Sequence, residues 1–380
     1  MKTVGIICEY NPFHLGHAKQ FRMIRDQHGS DCGIVCLMSG SYVQRGMPAI
    51  FDKSLRAEAA IRCGADLVLE LPVTYALSSA EGFAAGGVRI LSGFCDALCF
   101  GTETGTEETL TATAEALLST AFADALRARL GTGISFPAAR QQALADLGAD
   151  AALLNNPNDI LAVEYCKAIL SQSSTMKPMP IIRQGSYHDT AADPENPSAT
   201  AVRALIAGGH DWKSCIPEDA QPVFSDAAVH TLAAGERAIL AKLRTMTDAE
   251  FEALPYGSEG LWRRLMHACR EYAALDEILS AVKTKRYTRT RLDRMVMCAF
   301  LGITREMLDS PAPYTRVLAF NETGRRILKA ARRSGCFPHT GETVDEPYQL
   351  LEQRCDSLYG LFCTNTPDFP NPKRRVCILP

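Results

Sequence analysis

Short apolar runs alternate with helical periodicity over the first 200 residues. Residues 3–8, 32–38, 66–71 and 96–100 are apolar almost throughout, and each run stops at a glycine, a proline or a polar turn. Between them, residues 53–63 and 79–91 place apolar side chains at helical spacing. Strands covered on both faces show continuous apolar runs, and their alternation with helices predicts a parallel sheet with helices on either side. Ligands of such sheets bind outside the carboxyl ends of the strands. The loops expected there are 11–17, 39–45, 72–79 and 101–105. Further on, Ala/Leu-rich residues 106–149 predict two helices separated by Gly131-Thr132-Gly133. Asn and Asp at 155–159 cap a helix over 160–170, as those residues do for purely structural reasons. A last strand over 179–183 ends on Arg183, and Ser198 opens a short helix that stops at Gly208-Gly209.

Past residue 209 the alternation is lost. Residues 232–244 and 259–272 predict amphipathic helices, 314–320 a strand, and 325–333 a basic helix before another helix near 348–361. The chain therefore predicts two domains: a Rossmann-like α/β domain over 1–210 and a mainly helical one over 211–380. Its 380 residues are long for one core.

Charge sharpens this division. The net value of −3 hides a first segment with 16 Lys+Arg against 21 Asp+Glu and a second with 24 against 22. Residues 283–333 alone hold 13 basic against 4 acidic residues. Within 283–291, Lys283, Lys285, Arg286, Arg289 and Arg291 surround Tyr287. A charge run is usually a solvated face, but two close in sequence with an interleaved aromatic point to RNA or DNA. The 14 cysteines lack Cys-x-x-Cys spacing and several sit in apolar runs, so they read as buried hydrophobes in a reducing cytoplasm. No signal peptide and no membrane-spanning run is evident, and a cytoplasmic protein without membrane association is expected.

The first strand-end loop carries the candidate chemistry: Asn11-Pro12-Phe13-His14-Leu15-Gly16-His17. Pro12 suits the turn, Gly16 permits close backbone approach, and the two histidines share one face of a helical first turn. Amides at a helix start bind phosphate, and paired histidines can donate to a pentavalent phosphoryl group as its charge builds. A metal pair is disfavoured because no third and fourth ligand follows, and no metal ligand is assigned. The 39–46 loop, with Gln44 and Arg45, is placed to line the pocket opposite the histidines. Gly101 would let a purine or ribose lie against the backbone. Ser198, Thr200 and Arg203 form either a second phosphate cradle or a plain helix cap.

These residues resemble the His-x-Gly-His signature of the HIGH-type nucleotidyltransferase superfamily. The wider pattern resembles the bacterial tRNA(Met) cytidine acetate ligase family. It includes Glu9-Tyr10-Asn11-Pro12-Phe13-His14, Met38-Ser39-Gly40, Gln44-Arg45-Gly46, Glu70-Leu71-Pro72, Phe100-Gly101, Asn158, Arg183 and the run from Lys283 to Arg289. The resemblance spans nearly the whole chain. Lys-Met-Ser-Lys-Ser is absent, and Ala199 and Ala201 thin the hydroxyls of the second phosphate motif. It implies a two-step reaction in which ATP and acetate give acetyl-adenylate and the acetyl group passes to N4 of the wobble cytidine of elongator tRNA(Met). It implies His14 and His17 as catalytic residues. It also implies ATP contacts at Ile7, Glu9, Tyr10, Asn11, Pro12, Phe13, Gly16, Gln20, Gly101, Asn158 and Arg183, with Mg2+ accompanying the nucleotide. The basic run would bind tRNA, and no obligate protein partner is implied. A small-molecule nucleotidyltransferase, or a tRNA-binding protein with a vestigial catalytic domain, are the alternatives.

Overall fold

The computed structural model describes residues 1–182, 197–333, 338–339, 346–364 and 376–379. Arg183 and the basic tail at 373–375 lie outside the described residues. The strands in chain order are β1 (Thr3–Cys8), β2 (Gly33–Ser39), β3 (Tyr42–Val43), β4 (Met47–Pro48), β5 (Leu67–Leu71), β6 (Ala97–Thr102), β7 (Lys177–Ile182), β8 (Thr315–Phe320), β9 (Pro338–His339) and β10 (Cys377–Ile378). The main sheet runs β10-β8-β5-β2-β1-β6-β7, with β9 also pairing β8. From β5 to β7 it is parallel, so the ends of β1, β2, β5 and β6 open on one edge. β3 and β4 form a separate antiparallel hairpin.

The apolar runs explain the layering. Alternate strand residues serve opposite cores: Val35, Leu37, Leu69 and Leu98 meet helices Ala80–Leu91 and Pro157–Ser171 through Phe83, Val88 and Val163. Val4, Ile6, Ile34 and Cys36 meet helices Leu15–His28, Lys53–Arg62 and Ala199–Ala207 through Phe21, Ile24, Ala60 and Ile206. A third core joins helices Leu232–Thr245, Leu261–Glu271, Leu275–Val282 and Arg289–Leu301.

Two expectations change. Residues 107–146 form three helices, Glu107–Leu118, Thr120–Leu130 and Phe136–Asp146. Ser119 adopts an extended conformation (ψ 151°) and caps the second, its Oγ accepting from the Phe122 amide at 3.1 Å. More consequentially, the segment after residue 210 does not stand apart. β8 pairs antiparallel with β5, the Thr315 hydroxyl donates to the Glu70 carbonyl at 2.7 Å, and helix Glu322–Arg333 packs Ile327 and Leu328 into the sheet core. β5 would otherwise leave an unpaired parallel edge, and an edge strand is stabilised by cover. Among the described residues, no helix is long and apolar enough to cross a membrane.

Candidate active site

The turn after β1 positions its histidines through backbone bonds. His14 is the N-cap of helix Leu15–His28, extended at φ −143° and ψ 173°. Its Nδ1 accepts from the Gly16 amide at 3.1 Å, while His17 Nδ1 accepts from the His14 amide at 3.2 Å. This is a capping box built from two imidazoles. A ring nitrogen that accepts from an amide cannot carry a proton, so both neutral rings hold theirs on Nε2. The rings stack at 3.7 Å, and Tyr10 meets His17 edge-on at 4.7 Å. A Cβ on Gly16 would come within 2.9 Å of the His14 ring, so the space that glycine leaves is taken first by the histidine. The Gly16 amide is likewise committed to the cap. The donors this turn presents are therefore chiefly the two Nε2–H groups, fixed in tautomer without needing charge.

A cavity of about 580 Å³ opens at these rings. Of the residues the sequence singled out, Ile7, Glu9, Tyr10, Asn11, His14, Gly16, His17, Gln20, Gly101, Asn158, Ser198, Thr200 and Arg203 all line it. Pro12 and Phe13 do not; Phe13 is fully buried against Tyr10 and Phe21, because the turn spends its apolar side chain on the core. Several lining groups have structural duties as well. Arg203 donates to the Asn11 carbonyl at 2.8 Å and to Thr200 at 3.2 Å, and Asn11 Oδ1 accepts from the Ile50 amide at 2.7 Å. The Ser198 hydroxyl caps helix Ala199–Ala207 by accepting from Ala201 at 3.1 Å. Asn158 donates to Glu103 at 2.6 Å, and Gln20 to Cys99 at 3.4 Å.

The 39–46 loop forms the β3–β4 hairpin and brings Val43, Gln44 and Arg45 to the cavity. Glu9 accepts from the Gln44 amide at 2.8 Å. Gly46, at φ +75°, lets the hairpin touch helix Arg289–Leu301: a Cβ there would sit 2.5 Å from the Arg294 amide.

Other supports escaped sequence reading. Arg56 is fully buried and donates to the carbonyls of Phe51, Glu9, Ser39 and Gly40, which ties the ends of β1 and β2 together. Lys53, one turn earlier, bonds Glu70 and Asp356 at 2.7 Å each; Arg316 joins Glu70 at 2.8 Å and Glu352 at 3.2 Å. The available signal was that Lys53, Arg56 and Ala60 share a face of one helix with Ala57, where charge is out of place. Three carboxylates share two cations there. Burial opposes ionisation of Asp356, yet Lys53 and Arg316 hold it at about 2; for Glu352 burial prevails and raises it to about 7. Asp159 gathers the loop after β6, accepting from Thr102, Thr104 and the Glu103 amide; despite burial, bonds from Thr102, Asn156 and Thr104 hold its carboxyl at about 2. Among the described residues no group of three or more His, Cys, Asp or Glu could hold a metal ion.

The basic run opens helix Arg289–Leu301, and its members divide. Lys283, Lys285 and Arg286 are exposed, Arg286 pairing Glu259 at 2.5 Å. Arg289 bonds Asp276 at 2.9 Å and Asp293 at 3.0 Å, while Arg291 donates to the Tyr256 carbonyl at 2.7 Å and to Ser258 at 3.0 Å. Tyr287 is buried under Arg291, so the interleaved aromatic is core and not a stacking platform.

A family model described as HIGH nucleotidyl transferase matches residues 1–368. The chain is 36% identical over 357 residues to the tRNA(Met) cytidine acetate ligase of Clostridium novyi, with 89% of each chain covered. It is 37% identical over 376 residues to that of Alkaliphilus metalliredigens, covering 89% of this chain and 87% of the relative. Its fold superposes on the apo crystal structure of Thermotoga maritima TmcAL with a TM-score of 0.90 at 30% identity, covering 100% of both chains. A second form of that protein, bound with alpha-thio ATP, superposes with a TM-score of 0.88 at 29% identity, over 100% of this chain and 99% of the other. A HIGH-type histidine pair on a parallel sheet, the family model and relatives matched over most of their length agree: the chain belongs to the tRNA(Met) cytidine acetate ligase family of HIGH nucleotidyl transferases.

Proposed function

We propose that this chain activates acetate with ATP and transfers the acetyl group to N4 of the wobble cytidine of elongator tRNA(Met). The observation that carries the reading is the pair of tautomer-fixed histidines lining a nucleotide-sized cavity, in a chain whose relatives bear that ligase name. An acetate oxygen attacks the α-phosphate, pyrophosphate leaves, and His14 and His17 donate to the phosphoryl oxygens as charge builds. Ile7, Glu9, Tyr10, Asn11, Gly16, Gln20, Gly101 and Asn158 surround the nucleotide, joined by Arg183. Ser198, Thr200 and Arg203 form the second cradle. Mg2+ travels on the nucleotide phosphates, a mode that Mg2+ favours where the protein supplies few ligands. Lys283, Lys285 and Arg286 meet the tRNA backbone, and the reaction belongs in the cytoplasm.

A small-molecule nucleotidyltransferase would use the same histidines but has no need of a basic, mainly helical second half. Acetate-dependent exchange of pyrophosphate into ATP, measured with and without tRNA, tests the first step, and mass spectrometry of the tRNA for N4-acetylcytidine tests the second. Both should be positive. Exchange driven by a different carboxylate or alcohol, with no acetylated cytidine, would overturn the proposal.

A further inference from the structure

The cavity has a second wall, from residues 43–50 and 230–232. We propose that this wall receives the amine of the acyl acceptor, and that His230 takes the amine proton during acetyl transfer. The inference rests on the ligase reading above and adds to it a base for the second step.

His230 lies close to the signature. Its amide donates to the Ile50 carbonyl at 2.9 Å, and the Ile50 amide donates to Asn11 Oδ1 at 2.7 Å. Its backbone also bridges to Cys363, and the Thr231 amide donates to the Phe362 carbonyl at 2.8 Å. The ring is clamped: it stacks on Tyr359 at 4.0 Å and 14°, and the Tyr359 hydroxyl donates to the Ala49 carbonyl at 2.7 Å. His230 is only 6% exposed, yet it borders the cavity.

The tautomer separates this histidine from the other two. His230 Nδ1 lies 3.1 Å from the Ala228 carbonyl, and a carbonyl can only accept, so Nδ1 carries the proton and Nε2 is the basic nitrogen. His14 and His17 are fixed the opposite way, with Nδ1 accepting. Three histidines thus border one cavity, two holding their proton on Nε2 and His230 holding its own on Nδ1.

Only the second step needs such an acceptor. Acetate enters adenylation as an anion and requires no base. An exocyclic cytosine amine is weakly nucleophilic because its lone pair is delocalised into the ring. As it attacks the acetyl carbon, a C–N bond forms, the bond from that carbon to the phosphate oxygen breaks, and AMP leaves as an anion. The surplus amine proton passes to His230 Nε2 and then to solvent, so the step balances without any other reactant.

The test uses the full chain and two variants. His230→Gln keeps a donor for the Ala228 carbonyl, and His230→Phe keeps the stack on Tyr359; both lose the basic nitrogen. Single-turnover acetyl transfer from enzyme-bound adenylate to tRNA should fall by about a hundredfold or more in both, the range for loss of a general base. Acetate-dependent pyrophosphate exchange in the same samples should fall far less, which also reports that the variants are folded. Transfer within about threefold of the unsubstituted chain by either variant, or exchange lost in parallel with transfer in both, would overturn the role. An unsubstituted chain with no acetate-dependent exchange overturns the ligase reading, and this inference with it.

Discussion

His17→Ala removes one Nε2–H donor from the cavity and one acceptor from the cap, and the two losses have separable sizes. The cap loss leaves the His14 amide without its 3.2 Å acceptor, a change that costs about 0.5–2 kcal/mol in comparable N-caps. For a chain of this size that lowers the melting temperature by about 0.5–2.5 °C, so the variant stays folded. The catalytic loss is larger. Deleting one preorganised donor to a charged transition state costs about 10²–10³ in rate, or about 2.7–4 kcal/mol. Because the donor is fixed in advance, its contribution grows as charge builds on phosphorus, and the loss falls in the chemical step. Pyrophosphate exchange at saturating ATP and acetate should therefore fall by about 10²–10³. Circular dichroism melting in parallel measures the cap term. A folded variant that exchanges within about threefold of the unsubstituted chain would refute the donor role of His17.

Replacing Lys283, Lys285 and Arg286 together with Ala should flatten the dependence of log tRNA affinity on log salt by about 2, roughly one phosphate contact per residue, with exchange preserved; an unchanged slope assigns tRNA elsewhere, with exposed Arg325, Arg326, Lys329 and Arg332 next in line. Arg289 and Arg291 are left out of that variant because their guanidinium groups hold the fold. Glu352→Gln tests the buried charge cluster. Burial raises the Glu352 carboxyl from an ordinary 4.5 to about 7, against the pull of Arg316. Between those values the folded chain retains a proton that the unfolded chain releases, so this group's stabilisation is full below pH 4.5 and is lost as pH rises through 7. Gln has no proton to lose, and the variant should be more stable at pH 8 by on the order of 3 kcal/mol and at pH 5 by less than about 1 kcal/mol; an equal effect at both pH values would refute the assignment.

The alternation of apolar runs with helical spacing was enough to define the parallel sheet, because strands buried on both faces and helices buried on one leave different periods in the chain. The same pattern located the strand-end loops, and with them Asn11 to His17 and Gly101, since topology alone sends polar residues there to a shared edge. Sequence spacing could not determine which nitrogen of each histidine holds its proton. That depends on the Gly16 amide, the His14 amide and the Ala228 carbonyl, partners defined by backbone geometry. Nor could it reveal that β8 returns from beyond residue 210 to pair with β5, because an edge strand's partner lies some 245 residues away and leaves no local periodic trace. Arg56 and Lys53 look like ordinary helix-surface charges until the carbonyls of β1 and β2 and the acids of helix Glu346–Tyr359 close around them. The basic run shows the limit in the other direction. Its charge was legible, but the carboxylates and carbonyls that occupy Arg289 and Arg291 are contributed by distant segments, and only the folded chain divides structural cations from those facing solvent.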